Sequence, residues 1–517
     1  MSLLVSGAAD AQKLGGTLRI YHRDSPASMS VHEEGTNSVS IPIMAVFNNL
    51  VLYDQHIAQN SSDHIEPELA ERWAWNADGT RLTFQLRAGV RWHDGQPFTA
   101  ADVKCTWDLL TGRASERLRA NPRRSWWSNI AEIAVEAPDR VSFVLSRPQP
   151  ALLALLASGL APVYPCHVSP AQMRRHPIGT GPFRFVEFKP SEYIHLAKNP
   201  DYWKPGRPYL DAIEYTIVPN RATAILAFAA GQFDMTFPYE VTAPLLNDIH
   251  QQAPAATCEL VPANSSTNLL VNRDAPPFDN PDLRRALTLA LDRKGFIDIL
   301  ARGQGDIGAA MEPAPSGLWG MPPDMLARLP GYGGDVEKNR TAARDFMARL
   351  GYGPGKPLAM KVASRNIPTY RDPAVVLIDQ LKSIGIDAEL DTVETANWFP
   401  KIARKDYQVG VNNTGSAVDD PDQQFFENYG CGSERNYTGY CNKELETLFV
   451  AQSTTVDQQK RKDLVWEIDR KLQEDVARPI IYHTRLGTCL QPQVKGLTIM
   501  VNSQYNGWRM EDVWLDR

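Results

Sequence analysis

An α/β fold with more than one core is what this sequence predicts, and three observations carry the prediction. At 517 residues the chain exceeds one ordinary domain, and its 43% hydrophobic and 22% charged content is that of a globular protein. From about residue 270 onward, helically spaced segments alternate with β-like runs. Between residues 65 and 110, two Asp-Gly turns frame a strand that leads into a helix.

Thr17 to Tyr21 alternates as a short strand, and Pro42 to Tyr53 suggests an apolar helix over 42–49 entering the β-like Leu50-Val-Leu-Tyr53. After Asp78-Gly79, Leu82, Phe84 and Leu86 alternate with polar residues as in a half-buried strand. Asp94-Gly95 turns the chain again, and Thr99 with Asp102 forms an approximate capping box before the apolar run Val103 to Leu110. Val141 to Leu145 and Tyr215 to Val218 are further strands, and Arg221 to Ala230 is a helix ended by Gly231. Asp282 to Leu300 has helical spacing at Leu283, Ala286, Leu287, Ala290 and Leu291. Pro373 to Ile384 reads as a helix with Pro at its start and Gly385 at its end, followed by strands at 387–393 and 407–411. A last helix, Val456 to Glu474, precedes the strand Pro479 to Tyr482.

Composition excludes several function classes. A net charge of −6 argues against a nucleic-acid footprint, which needs a basic face. No apolar run reaches the roughly 20 residues that span a bilayer. Leu3 to Ala11, with Ala9-Asp-Ala11 before Gln12, resembles the end of a secretory signal peptide, so residues 1–13 are expected to be a leader remnant and the protein periplasmic. In that compartment Cys431 and Cys441, flanking a turn-rich loop, are expected to form a disulfide. Cys105 reads as a small core residue, and Cys166, Cys258 and Cys489 cannot be paired from sequence.

Enzymatic motifs are missing from the sequence. It holds no His-Glu-x-x-His, Gly-x-Ser-x-Gly or P-loop, since Gly351 to Lys356 has the wrong spacing. Gly303 to Gly308 satisfies Gly-x-Gly-x-x-Gly by count but follows a helix, not a strand. Asp419-Asp-Pro-Asp422 lacks the rest of a calcium loop. No catalytic residue, cofactor or metal is expected; a hydrolase on an unrelated fold is the distant alternative.

One set of motifs is specific. Glu66-Pro-Glu-Leu-Ala-Glu-Arg-Trp73 and Leu86 to Val103 are joined by Pro177-Ile-Gly-Thr-Gly-Pro-Phe183, Asn199-Pro-Asp-Tyr-Trp203 and Gly231-Gln-Phe-Asp234. Asn272, Pro276-Pro-Phe278, Leu283 to Leu287 and Ala290 to Arg293 continue the pattern. Together these resemble bacterial extracellular solute-binding proteins of family 5, which serve ABC importers of peptides, nickel chelates and related solutes. The resemblance implies a two-lobed periplasmic-binding-protein fold (type II, cluster C) with a hinge and an inserted domain. Lobe I would take residues 14–53, 169–268 and 484–517, the insertion 54–168, and lobe II 269–483, with crossings near 262–272 and 480–488. The implied partners are a peptide or other small solute and an inner-membrane ABC permease and ATPase, the receptor itself being a monomer.

Candidate ligand residues follow from polar and aromatic segments near the expected cleft. Glu33, Glu34, Thr36 and Asn37 face the cleft or merely cap the next helix. Trp126 of the Trp126-Trp127 pair, Asn366 and Tyr370 are further candidates. Trp398 is either an aromatic wall or a core residue over Ile402, and Asn413, Thr414 and Ser416 follow a strand as hydrogen-bonding groups or as a solvated turn. In peptide-binding relatives an aspartate four positions before a loop proline pairs with the peptide's α-ammonium; with Pro421 as that proline, Ala417 stands there, and Asp419 is the substitute. This departure leaves peptides possible and gives weight to sugars, opines, aromatic compounds or metal chelates.

Overall fold

The computed structural model describes residues 12–517, so all but the last two residues of the leader remnant expected at 1–13 lie outside the described residues. Two large sheets organise the chain. In the first, Thr17–His22 pairs in parallel with Ala212–Ile217, which continues antiparallel to Tyr193–Lys198 and then Phe183–Lys189. The second has six strands. Thr257–Val271 lies antiparallel between Ile480–Leu490 and Val409–Gly415, and Leu358–Arg365 and Ile386–Val393 extend the sheet in parallel beyond the latter. Gly305–Asp306 edges its other side.

A smaller antiparallel sheet, in the order Ala70–Trp75, Arg81–Leu86, Arg140–Leu145, Ile130–Ala137, packs against the helix Ala100–Thr111. Leu82, Phe84 and Leu86 face inward as their alternation requires. Asp102 accepts the Thr99 backbone N–H at 2.9 Å, so the capping box forms. The apolar face of this sheet is continuous with the core of the first large sheet, and Leu269 to Tyr482 supplies a second core.

The specific motifs have physical reasons. Glu68 is fully buried, accepting from Asn49 N at 3.0 Å and pairing with the equally buried Arg509 at 3.2 Å. Gly179 and Gly181 let the Val46 carbonyl approach so closely that a Cβ on either would collide with backbone.

Two strands run from one core to the other. On Thr257–Val271, Val261 and Ala263 belong to the first core and Leu269 and Val271 to the second. Its neighbour Ile480–Leu490 does the same in reverse, with Ile481 in the second core and Leu486 in the first. Their pairing slips between Pro262 and Ser266, where the ladder changes register.

Several elements differ from their sequence-based expectation. The first helix covers Asn37–Ile43, not 42–49, because Thr36 caps it by accepting from Ser38 N at 3.1 Å and Pro42 sits near its end. Asp282–Leu300 is broken into Pro281–Ala290 and Arg293–Ala301, because the Asp292 side chain caps a new helix at Gly295 N. The helix expected to start at Pro373 begins at Pro368 and carries Pro373 inside it. All six cysteines are joined: Cys431–Cys441, Cys105–Cys166 and Cys258–Cys489. Cys105 is therefore a bridge residue rather than a reduced core side chain, and Cys258–Cys489 ties together the two strands that connect the cores.

Candidate functional site

The ends of the connecting strands and the facing loops enclose a narrow polar cavity with about 20 Å³ of free space. One wall comes from the first core's side: Arg23 at the end of the first strand, Gly35 to Asn37 at the first helix, Tyr239, and Gln504 with Tyr505. The opposite wall comes from the second sheet's side: Arg365, Thr369, Tyr370, Phe399, Asn413 and Arg435. Leu486 closes the floor from a connecting strand.

Local structure places these groups. Arg365 ends the strand Leu358–Arg365 at 1% exposure and reaches across to the Asp24 carboxylate and to Ser38 Oγ at 3.0 Å. The strand is buried along its last four residues, so an arginine there has no route to water and must find a partner. Arg23 donates to Glu240 at 3.0 Å, and Arg435 lies 3.1 Å from Glu427. Tyr370 Oη donates to the Asn413 carbonyl at 3.3 Å, and Asn37 donates to the side-chain oxygen of Gln504.

These pairs set the electrostatics. Burial alone would raise the Asp24 carboxyl, but the guanidinium groups of Arg365 and Arg23 outweigh it and hold it well below the usual carboxylate range. Burial disfavours the charge on Arg435 and Arg23, and their partners Glu427 and Glu240 more than restore it. Arg435 and Arg23 therefore stay cationic.

The sequence-derived candidates divide. Thr36, Asn37, Tyr370 and Asn413 line the cavity. Glu33 and Glu34 stand just outside it: Glu33 accepts from Arg174 at 2.8 Å, and Glu34 accepts from Arg119 at 2.7 Å. Burial raises the Glu34 carboxyl. Trp126 donates its indole N–H to Glu427 at 2.5 Å and so supports the partner of Arg435 rather than the cavity surface. Thr414 is buried, accepting from Asn268 at 2.9 Å, and the Ser416 backbone N–H donates to the Asn264 carbonyl at 2.8 Å. Residues 412–415 are thus part of the strand Val409–Gly415, not a turn beyond it. Asn366 is exposed and bonded to Glu394.

Trp398 is core, not wall. It is fully buried with Leu270, Ala363, Ile402 and Tyr407, and its edge meets Tyr370 at a ring separation of 6.1 Å; the neighbouring Phe399 reaches the cavity instead. Ala417 is also fully buried, its N–H donating to Gln423 and its carbonyl accepting from Asn506. Asp419 lines a separate cavity beside Trp319 and Arg461, where burial pushes its carboxyl up to about 7.

The lining residues that sequence reasoning missed are Arg23, Tyr239, Arg365, Phe399, Arg435, Leu486, Gln504 and Tyr505. Arg23 and Arg365 carried little signal, since each ends or follows a strand that already holds another basic residue, Arg19 and Lys361. Gln504 and Tyr505 carried none, since they return to the cavity from the far end of the chain. Among the described residues no cluster of three or more His, Cys, Asp or Glu side chains is arranged to hold a metal ion.

Comparison with known proteins agrees with this architecture. Residues 64–436 match the family described as bacterial extracellular solute-binding proteins, family 5 Middle. Di/tripeptide-binding protein 3 of Pseudomonas aeruginosa (strain UCBPP-PA14) is 25% identical over 483 residues, covering 88% of this chain and 86% of that protein. The oligopeptide-binding protein AppA of Bacillus subtilis, solved with a nonapeptide, superposes with a TM-score of 0.85 at 22% identity, covering 98% of this chain and 100% of that one. AgaA from A. tumefaciens R10, solved with agropinic acid, superposes with a TM-score of 0.82 at 23% identity over 97% and 99%. The fold is the two-lobed α/β fold of periplasmic binding proteins, and the chain belongs to the bacterial extracellular solute-binding proteins of family 5.

Proposed function

We propose that this protein is a periplasmic receptor that captures a peptide or peptide-like solute between two lobes and presents it to an ABC permease and its ATPase. The observation that carries this reading is the cavity itself, whose two walls come from different packing clusters, with two long strands running between the cores behind them. A solute seated there touches both walls only when they are together, so its differential affinity drives closure. We assign residues 14–53, 169–268 and 484–517 to one lobe, 54–168 to an insertion beside it, and 269–483 to the other lobe. The hinge is where the connecting strands change register, near Pro262 to Ser266. Within this reading the wall residues Thr36, Asn37, Tyr370 and Asn413 contact the solute together with Arg23, Arg365 and Arg435. Three joined cysteine pairs suit an oxidising compartment, which supports the periplasmic placement. The receptor's names among relatives favour peptides, and agropinic acid in AgaA marks the non-peptide alternative.

Small-angle scattering before and after addition of a di- and tripeptide library tests closure. A smaller radius of gyration with ligand is expected. A radius that stays the same while a ligand binds would overturn the hinge.

A further inference from the structure

The charge of the cavity wall is one-sided. Its lining holds three guanidinium groups, from Arg23, Arg365 and Arg435, and no aspartate or glutamate. The carboxylates that pair with them, Glu240, Asp24 and Glu427, are buried at 1–5% exposure and sit outside the lining. Two more buried arginines lie close to Arg435 without a carboxylate partner among the described residues. Arg123 donates to the carbonyls of Glu34 and Val31, and Arg478 donates to Thr414, Asn428 and the Arg435 carbonyl. The wall therefore carries surplus positive charge. Of its orphaned buried polar atoms three are donors, Arg23 Nε, Arg435 Nε and Asn413 Nδ2, against one acceptor, Asn37 Oδ1.

Buried donors without partners are costly, and a solute that supplies acceptor oxygens removes that cost. An ammonium group meets the opposite conditions, since it finds repulsion and no countercharge on this wall. An adjoining cavity, which shares Thr369 and Leu486 with this one, does hold Asp372. That carboxylate is already matched by Arg221 at 3.4 Å, and Arg485 lines the same space.

Resting on the receptor reading above, we propose that the solute is an anion: a carboxylate-bearing, peptide-like molecule without a free ammonium group. Its carboxylate lies among Arg23, Arg365 and Arg435, and discrimination comes from the missing acid as much as from the arginines present.

Calorimetric titration and thermal shift of the full chain test this with four matched forms of Ala-Ala, Ala-Leu, Ala-Phe and Ala-Glu. The forms are the N-acetylated acid, the free zwitterion, the free amide and the N-acetylated amide. The N-acetylated acids should bind at least about tenfold more tightly than the zwitterions, with the amides weakest, as expected for a charge-assisted hydrogen bond gained or lost. Arg23→Gln should weaken the N-acetylated acids about tenfold and Arg23→Lys should recover part of that, while binding of the amides follows neither change. Circular dichroism melts establish that both variants are folded; should Arg23→Gln not fold, the four-form comparison on the unaltered protein decides alone. Zwitterions or free amides binding as tightly as the acids overturn the anion class and leave the receptor reading intact. If no compound in any form binds, the peptide-like reading fails and the anion proposal falls with it.

Discussion

The small sheet of Ala70–Leu145 and the six-stranded sheet use their residues in opposite ways. In the small sheet Arg81–Leu86 alternates half-exposed and buried positions, so one face meets water and the other packs on Val103 and Trp107. In the six-stranded sheet Val409–Gly415 and Ile480–Leu490 are buried on both faces nearly throughout, and their buried positions include Asn412, Thr414, His483 and Thr484. A sheet with one wet face is stabilised by its own apolar pattern. A sheet covered on both sides can also bury polar groups, provided each finds a partner, and the cavity wall is made at its ends.

The sharpest way to break this comparison is to empty one aromatic site in the small sheet and one on a helix packed against the six-stranded sheet. Phe84 is fully buried against Phe143 at a ring separation of 5.7 Å, and Trp398 is fully buried behind the cavity wall. Phe84→Ala and Trp398→Ala should each cost about 3–5 kcal/mol of stability in urea unfolding, because both leave cavities. Solute affinity of the folded fraction should survive Phe84→Ala. If Trp398→Ala lowered affinity while leaving stability unchanged, the tryptophan would be wall rather than core.

Asp24→Asn tests the polar side of the comparison. It leaves the buried Arg365 without its countercharge and should cost about 3 kcal/mol at pH 7. The folded-state carboxyl of Asp24 lies below its ordinary value of 3.8, so its contribution is complete above that pH and is lost as the pH falls toward the folded value. Acid unfolding curves should therefore show a component in the unaltered protein that Asp24→Asn lacks.

A smaller effect is expected at the loop that closes the wall behind Arg435. Cys431 and Cys441 enclose a short ring, and replacing both with Ser should cost about 2–3 kcal/mol in the chain-entropy account. Peptide mapping without reductant should recover these two cysteines linked. Free thiols at both would remove the bridge and weaken the oxidising-compartment argument.

Asp419→Asn should have the smallest effect and the opposite pH sense from Asp24. Its folded carboxyl is raised by burial from 3.8 to about 7, so its stabilising contribution is present below the lower value and is lost as pH rises through the upper one. Asn does not titrate, and the variant should gain about 1 kcal/mol relative to the unaltered protein between pH 5 and pH 8, discounted for the part exposure of this side chain. Melting temperatures of both at the two pH values measure it.

Much of the fold was legible because its signals are local. Leu82, Phe84 and Leu86 alternate, Thr99 and Asp102 cap, and Gly231 ends a helix with a positive φ of 75°; each needs only a few neighbouring residues to act. Helix boundaries were less legible where a side chain chose between two roles. Asp292 looks like an ordinary helix-surface residue until its carboxylate caps Gly295 and breaks the helix there.

The sequence by itself determined the α/β class, the specific family motifs and the local caps and turns, because periodicity and turn chemistry are properties of adjacent residues. Only the tertiary structure decided the candidate site. Arg23, Arg365, Arg435 and Gln504 come from four distant parts of the chain, and no local pattern records which charges will meet. It also decided that Trp398 packs inward while Phe399 faces the cavity, a choice between adjacent aromatic residues on one helix. Burial in a two-sided sheet makes every polar group seek a partner, and which partner is available depends on the packing of elements hundreds of residues apart.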